Sequence, residues 1–282
     1  MQIAIQGALI SGLYALIAVG FTMIYGVGRV ENLAHGAYIM VGAYVFYSLS
    51  ALLGVPISVS FIVAIASGVG ISLATYFGIV KRFPGHPTAI FISTLILALV
   101  VQFAITVMMD PMARNLLPLL SGISNLLGTV TVSNNLIISM VVSWLALGSL
   151  LLFIKRTHLG RAIRAISEDP KGAIVSGIDI ERANLVTWIW AGALAAIGGI
   201  FYGSYTMLVP HMWLFPLIMA FAIVIVGGIG SIEGTLIAAY IVGMSETAMT
   251  MLIAEQLRGV FGMAIMIGIL VARPRGLLGK ET

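Results

Sequence analysis

Apolar runs of about twenty residues dominate this chain, and their length limits what it can become. An α-helix rises about 1.5 Å per residue, so about 20 apolar residues cross a hydrocarbon core about 30 Å thick. The runs are continuous rather than alternating, which excludes a β-barrel. Charged residues make up 9% of the 282 positions and apolar residues 60%, whereas soluble domains carry about 25% charge. A mean hydropathy of +1.13 agrees. The expected fold is an all-α polytopic membrane bundle, with residues 1–282 forming a single transmembrane domain.

Candidate spans are Ile3–Tyr25, Leu33–Leu53, Ile57–Val80, Ala89–Met109, Leu136–Ile154 and Leu185–Leu208. Three shorter segments follow, Leu214–Ile229, Thr235–Ala254 and Val260–Ala272. Nine crossings place the N-terminus outside and the C-terminus inside; eight result if a short segment dips in and returns. With nine, Arg29, Lys81, Arg82, the polar loop from Lys155 to Arg182 and the tail cations Arg273, Arg275 and Lys280 face the cytoplasm, as positive charge should. Asp110–Asn134 then lies outside with Arg114 as its basic residue, and Arg258 is an outer exception. Met1 and Gln2 give no basic flank, so the first helix is expected to be retained rather than cleaved as a signal. The chain has no cysteine, which excludes disulfides, thiol catalysis and thiolate metal sites. Its formal charge of +4 resides in orienting loops and is not a nucleic-acid signature.

The polar loop, residues 155–184, holds six of the 14 Lys and Arg residues: Lys155, Arg156, Arg161, Arg164, Lys171 and Arg182. Its punctuation is more than a linker needs. Arg161 to Ile166 can form helix, Pro170 interrupts it, and Gly177 with Asp179 turns the chain back. A short, structured, charged segment between spans suits contact with a soluble partner.

Two glycine-rich breaks carry acidic residues: G-V-G-R-V-E at Gly26–Glu31 and G-I-G-S-I-E at Gly228–Glu233, 202 residues apart. Paired interruptions in two halves point to a transport site at a repeat interface. The pathway candidates are Glu31, Asn32, His35, Gly36, Ser93, Thr94, Gly227, Gly228 and Glu233. An ionisable group inside a span costs at least ~2.5–3.5 kcal/mol, so it faces a cavity or a partner. The plainer expectations are that Glu31 and Asn32 cap the next helix, that His35 packs, and that Thr94 and Ser93 bond backwards to a carbonyl. Gln102 should bridge two helices, and Glu246 is a mid-span carboxylate whose partner the sequence does not name. Close helix packing is expected at Gly199-x3-Gly203 and Gly230-x3-Gly234.

Nucleotide-binding, zinc-protease and serine-elbow motifs are absent from the sequence. Active transport would therefore draw energy from an ion gradient or from another subunit. Four ordered blocks carry a family resemblance. Gly12–Val27 with Glu31–Tyr44, then Gly160–Asp179, Val226–Gly234 and Arg273–Gly279, resemble the permease subunits of branched-chain amino acid ABC transporters. Leu278 stands where the family more often has Phe, and Leu33 departs from an Asn-Phe pair.

That resemblance implies a non-enzymatic pore subunit in a prokaryotic plasma (inner) membrane. Two permeases, identical or homologous, would form the pore. Two ATPase subunits beneath would use ATP, with no cofactor on this chain, and an extracytoplasmic binding protein would deliver substrate. It also implies that Arg161, Arg164, Glu168, Asp169, Pro170 and Gly177 form the element gripped by the ATPase. Substrates would be leucine, isoleucine and valine or related small amino acids, with urea or short amides as the alternative within the family. An ion-coupled secondary transporter working alone is the competing class.

Overall fold

The computed structural model describes every residue except 127–129, 255–258, 274–275 and 279–282. Arg258, Arg275 and Lys280, assigned sides of the membrane above, lie outside the described residues. The helices in chain order are α1 (Gln2–Gly28), α2 (His35–Tyr47, continued by a wider turn at Ser48–Leu52), α3 (Ile57–Gly78) and α4 (Pro87–Met109). After a hairpin of β1 (Ile123–Leu126) and β2 (Val130–Ser133) come α5 (Asn134–Arg156), α6 (His158–Glu168), α7 (Pro170–Val175) and α8 (Ile180–Tyr205). Next are α9 (Leu214–Gly227), α10 (Ile232–Leu252) and α11 (Val260–Ala272).

Among the described residues, six segments are long and apolar enough to cross a membrane: Gln2–Gly28, Ile57–Arg82, Pro87–Met109, Asn134–Arg156, Ile180–Tyr205 and Ile232–Leu252. The other three expected spans are shorter helices, with 13 residues in α2, 14 in α9 and 13 in α11. Thirteen residues rise only about 20 Å. The shortening of α2 has a visible cause. The chain unwinds after Gly28, and His35, the first residue of α2, lies against Ile17 in the body of α1. The all-α expectation also needs correction by the hairpin, which pairs Ile123 with Ser133 and Leu126 with Val130. Its β-branched Ile123, Val130, Thr131 and Val132 lie in a connection between α4 and α5, where cross-strand bonds satisfy the backbone.

α1 is the hub. It is buried along nearly its whole length and packs against α5, α8, α9 and α10, while α8 also covers α2 and α3. Helices in lipid gain little from the hydrophobic effect against one another, so they associate through close packing at small residues. That is how these residues are used. A side chain at Gly199 of α8 would overlap the carbonyl oxygen of Ile39 in α2, and one at Gly42 would lie 2.6 Å from Ala196 Cα. α4 is peripheral; Ile92, Ile96, Val100, Phe103 and Val107 recur every three or four positions on its exposed face, as a lipid-facing stripe does.

At the far end from the polar loop, Arg114 closes the bundle. Its backbone pairs both ways with Leu208, its Nη2 donates to Met109 O at 2.6 Å, and its Nη1 donates to Tyr47 Oη at 3.1 Å. The bond to Tyr47 raises the guanidinium pKa above its ordinary value, so the clasp keeps its charge. It ties the ends of α2 and α4 to the loop before α9.

Replacing Gly199 with leucine should prevent the α2–α8 approach. The expected outcome is a purified protein that aggregates or melts well below wild type in detergent; an unchanged melting curve would contradict the packing described.

Candidate functional site

The polar loop folds as two capped helices. Thr157 Oγ1 accepts from Gly160 N at 2.9 Å and starts α6. Asp169 Oδ1 accepts from Lys171 N at 3.1 Å and starts α7, with Pro170 in the first helical position, where a missing N–H costs nothing. Gly177 ends α7 at φ 76°, and Asp179 caps α8 through Arg182 N at 3.1 Å. The apolar side of this pair is not idle. Ile163 and Ile166 of α6, Ala173 of α7, Ala183 of α8 and Val27 of α1 form a small buried cluster of their own. Arg161, Arg164, Glu168 and Asp169 remain exposed on the other side, with Arg164 Nε 3.2 Å from Glu168 Oε1. The expected coupling residues therefore sit on a rigid, anchored, charged surface.

Cations collect at this end. Lys81, after α3, pairs with Glu181 at the start of α8. Lys155, at the end of α5, lies 3.7 Å from Glu233 in the first turn of α10. Glu233 is exposed beside Lys155, so it belongs to the basic end and not to the middle of a span. Glu31 is also exposed. These exposed pairs contribute little stability, with a median of about 0–1 kcal/mol; they mark a boundary.

The first break lies deeper. Asn32 is fully buried; its Oδ1 accepts from Ala34 N at 3.1 Å and its Nδ2 donates to Tyr38 Oη at 3.0 Å. Asn32 thus forms a side-chain turn just ahead of α2, whose N-cap, Ala34, has no side-chain cap, and Glu31 takes no part. Leu33 N donates to Thr94 Oγ1 at 3.2 Å, while Thr94 Oγ1 donates back to Phe91 O at 3.0 Å. His35 Nε2–H donates to Ile17 O at 3.1 Å, which places the neutral ring's proton on Nε2. Its ring meets Phe21 and Tyr38 edge-on. Gly36 is required because the ring of Trp213, just before α9, leaves no room for a side chain: a Cβ there would overlap Cε3. Trp213 Nε1 in turn donates to Gln102 Oε1 at 2.6 Å, so Gln102 does bridge two helices. Ser93 is half-buried and does not join this set. The structure thus gathers Asn32, His35, Gly36 and Thr94 at one buried point, where the starts of α2 and α9 meet.

The second break folds differently from the first. Gly26 is helical, but its counterpart Gly228 takes φ 98° and Gly230 takes φ 83°. Ser231 Oγ accepts from Gly234 N at 3.1 Å and starts α10, and Gly227 and Gly234 touch backbone to backbone. The tail completes the turn: Leu277 N donates to Val226 O at 2.8 Å and Leu278 N to Gly227 O at 3.1 Å. The two breaks nonetheless meet, with a Cβ at Gly26 3.5 Å from Gly230 Cα.

All four blocks of the resemblance therefore contribute to the basic end: the end of α1, α6 and α7, the α9–α10 turn, and the tail. The family model for the branched-chain amino acid transport system permease component matches residues 3–270. The chain belongs to this family. It is 30% identical to the high-affinity branched-chain amino acid transport system permease protein LivH of Escherichia coli K12, across 99% of this chain and 96% of that protein. The corresponding protein BraD of Pseudomonas aeruginosa is also 30% identical, with the same coverage. Among solved structures, PsaBC from Streptococcus pneumoniae in complex with Fab is 15% identical over 94% of this chain and 87% of its own, with a TM-score of 0.47. As a member, the chain is a multi-pass membrane permease and not an enzyme.

Sequence reasoning singled out Glu246 but missed the polar seam between α1 and α10 to which it belongs. Thr22 Oγ1 and Thr235 Oγ1 are 2.8 Å apart, and Tyr14 Oη donates to Glu246 Oε1 at 2.8 Å. Hydroxyls on a wholly apolar helix were the available signal; their partners were not readable. Tyr14→Phe should lower stability by about 1–3 kcal/mol, because a buried carboxyl loses a donor. Thermal unfolding of the purified protein would check this, and an unchanged midpoint would count against the bond.

Proposed function

We propose that this permease is the pore-forming subunit of an ATP-driven importer for branched-chain or related small amino acids, in a prokaryotic plasma (inner) membrane. The observation that carries the reading is the α6–α7 pair. Two capped helices, bolted to α1 and α8 by their own apolar cluster, present Arg161, Arg164, Glu168 and Asp169 outward. A rigid charged handle suits a motor that the chain itself lacks. Two ATPase subunits would grip it, and ATP would be used there.

In this reading the basic end is cytoplasmic, and α2, α9 and α11 complete nine crossings, the first two as helices that begin inside the bilayer. The expected pathway residues divide between two tasks. Asn32, His35, Gly36 and Thr94 hold the interrupted α2, while Gly227, Gly228 and Glu233 form the inner mouth. A second permease subunit would pack on the α5–α10 face. That face is unlike the lipid stripe of α4: exposed Trp144 donates to Tyr240 Oη at 2.8 Å, and Gly148, one turn on, is bare. The substrate reading is supported by the relatives, which are named for branched-chain amino acid transport. The ion-coupled alternative has less support, because of its three candidate carboxylates Glu233 pairs with Lys155, Glu246 accepts from Tyr14, and Glu31 is exposed.

Reconstitution in liposomes decides between these classes. Uptake should require the ATPase subunits and ATP; accumulation by the permease alone against an ion gradient would overturn the importer reading. Replacing Glu168 and Asp169 together with alanine should leave insertion intact and uncouple ATP hydrolysis from uptake, whereas normal uptake would remove the assigned role. Gly228→Leu should reduce uptake because leucine resists φ 98° and fills the turn; flux at the wild-type rate would show that the turn only packs.

A further inference from the structure

We infer that Ser167 is the positioning residue through which α6 drives the α9–α10 turn, and that this contact shifts during transport. The inference rests on the importer reading above. Two kinds of contact hold the basic end together. The apolar cluster of Val27, Ile163, Ile166, Ala173 and Ala183 joins α6, α7 and the ends of α1 and α8 into one unit. Where α6 comes up to the α9–α10 turn, Ser167 faces Gly230 alongside Gly26 of α1. A Cβ built on Gly26 would lie 3.2 Å from Ser167 Oγ and 3.5 Å from Gly230 Cα, and one on Gly230 would lie 3.7 Å from both Gly26 Cα and Ser167 Oγ.

At this point three elements touch through two glycines and a serine. Such a surface can slide while losing few dispersion contacts, whereas an interdigitated one cannot. The turn itself is stiff. Gly227 and Gly234 are in backbone contact, Ser231 caps α10, and the tail is bonded to Val226 and Gly227. Displacing Gly230 therefore moves α9 as a rod of 14 residues. The far end of that rod is Trp213, which lies on Gly36 at the start of α2 and is bonded to Gln102 of α4. A push at Ser167 reaches the interrupted α2 by this route without crossing the core.

The absence of native cysteine allows a direct test. In the complete complex of permease, ATPases and binding protein in liposomes, the pair S167C/G230C should crosslink on oxidation. Uptake should then be lost, with basal ATP hydrolysis retained and reduction restoring uptake. A pair that never crosslinks, or a crosslinked complex that transports at the wild-type rate, overturns the inference. Should Gly230→Cys fail to fold, Ser167→Leu carries the test alone. It should keep the ATPases bound and basal hydrolysis intact, yet lose uptake and substrate-stimulated hydrolysis, while Ser167→Ala keeps both. Normal uptake in Ser167→Leu would refute the role of the contact. Failure of the unaltered complex to transport with ATP would instead sink the importer reading.

Discussion

Backbone resting on backbone, with no side chain between, is the contact on which this structure depends. In lipid, helices have little to gain by hiding apolar side chains from surroundings that are equally apolar. Gly199 against the Ile39 carbonyl, Gly42 against Ala196 and Gly192 against Gly68 bring α2, α3 and α8 to a separation that larger residues would forbid. α1 can then be enclosed completely. Enclosure is what allows it to carry Ser11, Tyr14 and Thr22 where peripheral α4 shows a hydrocarbon stripe.

The interrupted helices obey a second constraint. An unpaired N–H or C=O in a dry interior costs several kcal/mol, so helix can stop at depth only where something else takes the bond. Asn32 and Thr94 do this at the start of α2, Ser231 at the start of α10, and the tail amides at the end of α9. Each break is therefore a specified structure and not a lapse in helix propensity. Breaks of this kind are also where a bundle can change shape, because the bonds that hold them come from separate elements. The basic end joins those breaks to a rigid charged helix pair, and this junction is what makes a driven permease a mechanical proposition.

Much of this was legible residue by residue. Six of the expected spans are long apolar helices, the polar loop folds with Pro170 and Gly177 where their backbone limits place them, and Asn32, Thr94 and Gln102 make the bonds their chemistry suggested. The failures were of depth and of pairing. Glu31 and Glu233 looked like membrane-depth carboxylates because apolar residues flank them, but both are exposed, and Glu233 sits beside Lys155. The two glycine-rich hexapeptides looked like copies, but the first stays helical through Gly28 and turns at Arg29, φ 49°, where the second already turns at Gly228 and Gly230.

Hydrophobic length, loop charge and helix-stopping residues are local properties. They were enough to settle a helical membrane protein with its cations gathered in a structured loop. Nothing local says that Tyr14 will find a carboxyl 232 residues away, that Trp213 will lie on Gly36, or that Ser167 will meet both glycine breaks. Those partners were decided by how the helices approach one another, because a contact between distant segments is fixed by the shape of the packed whole and by no single stretch of chain.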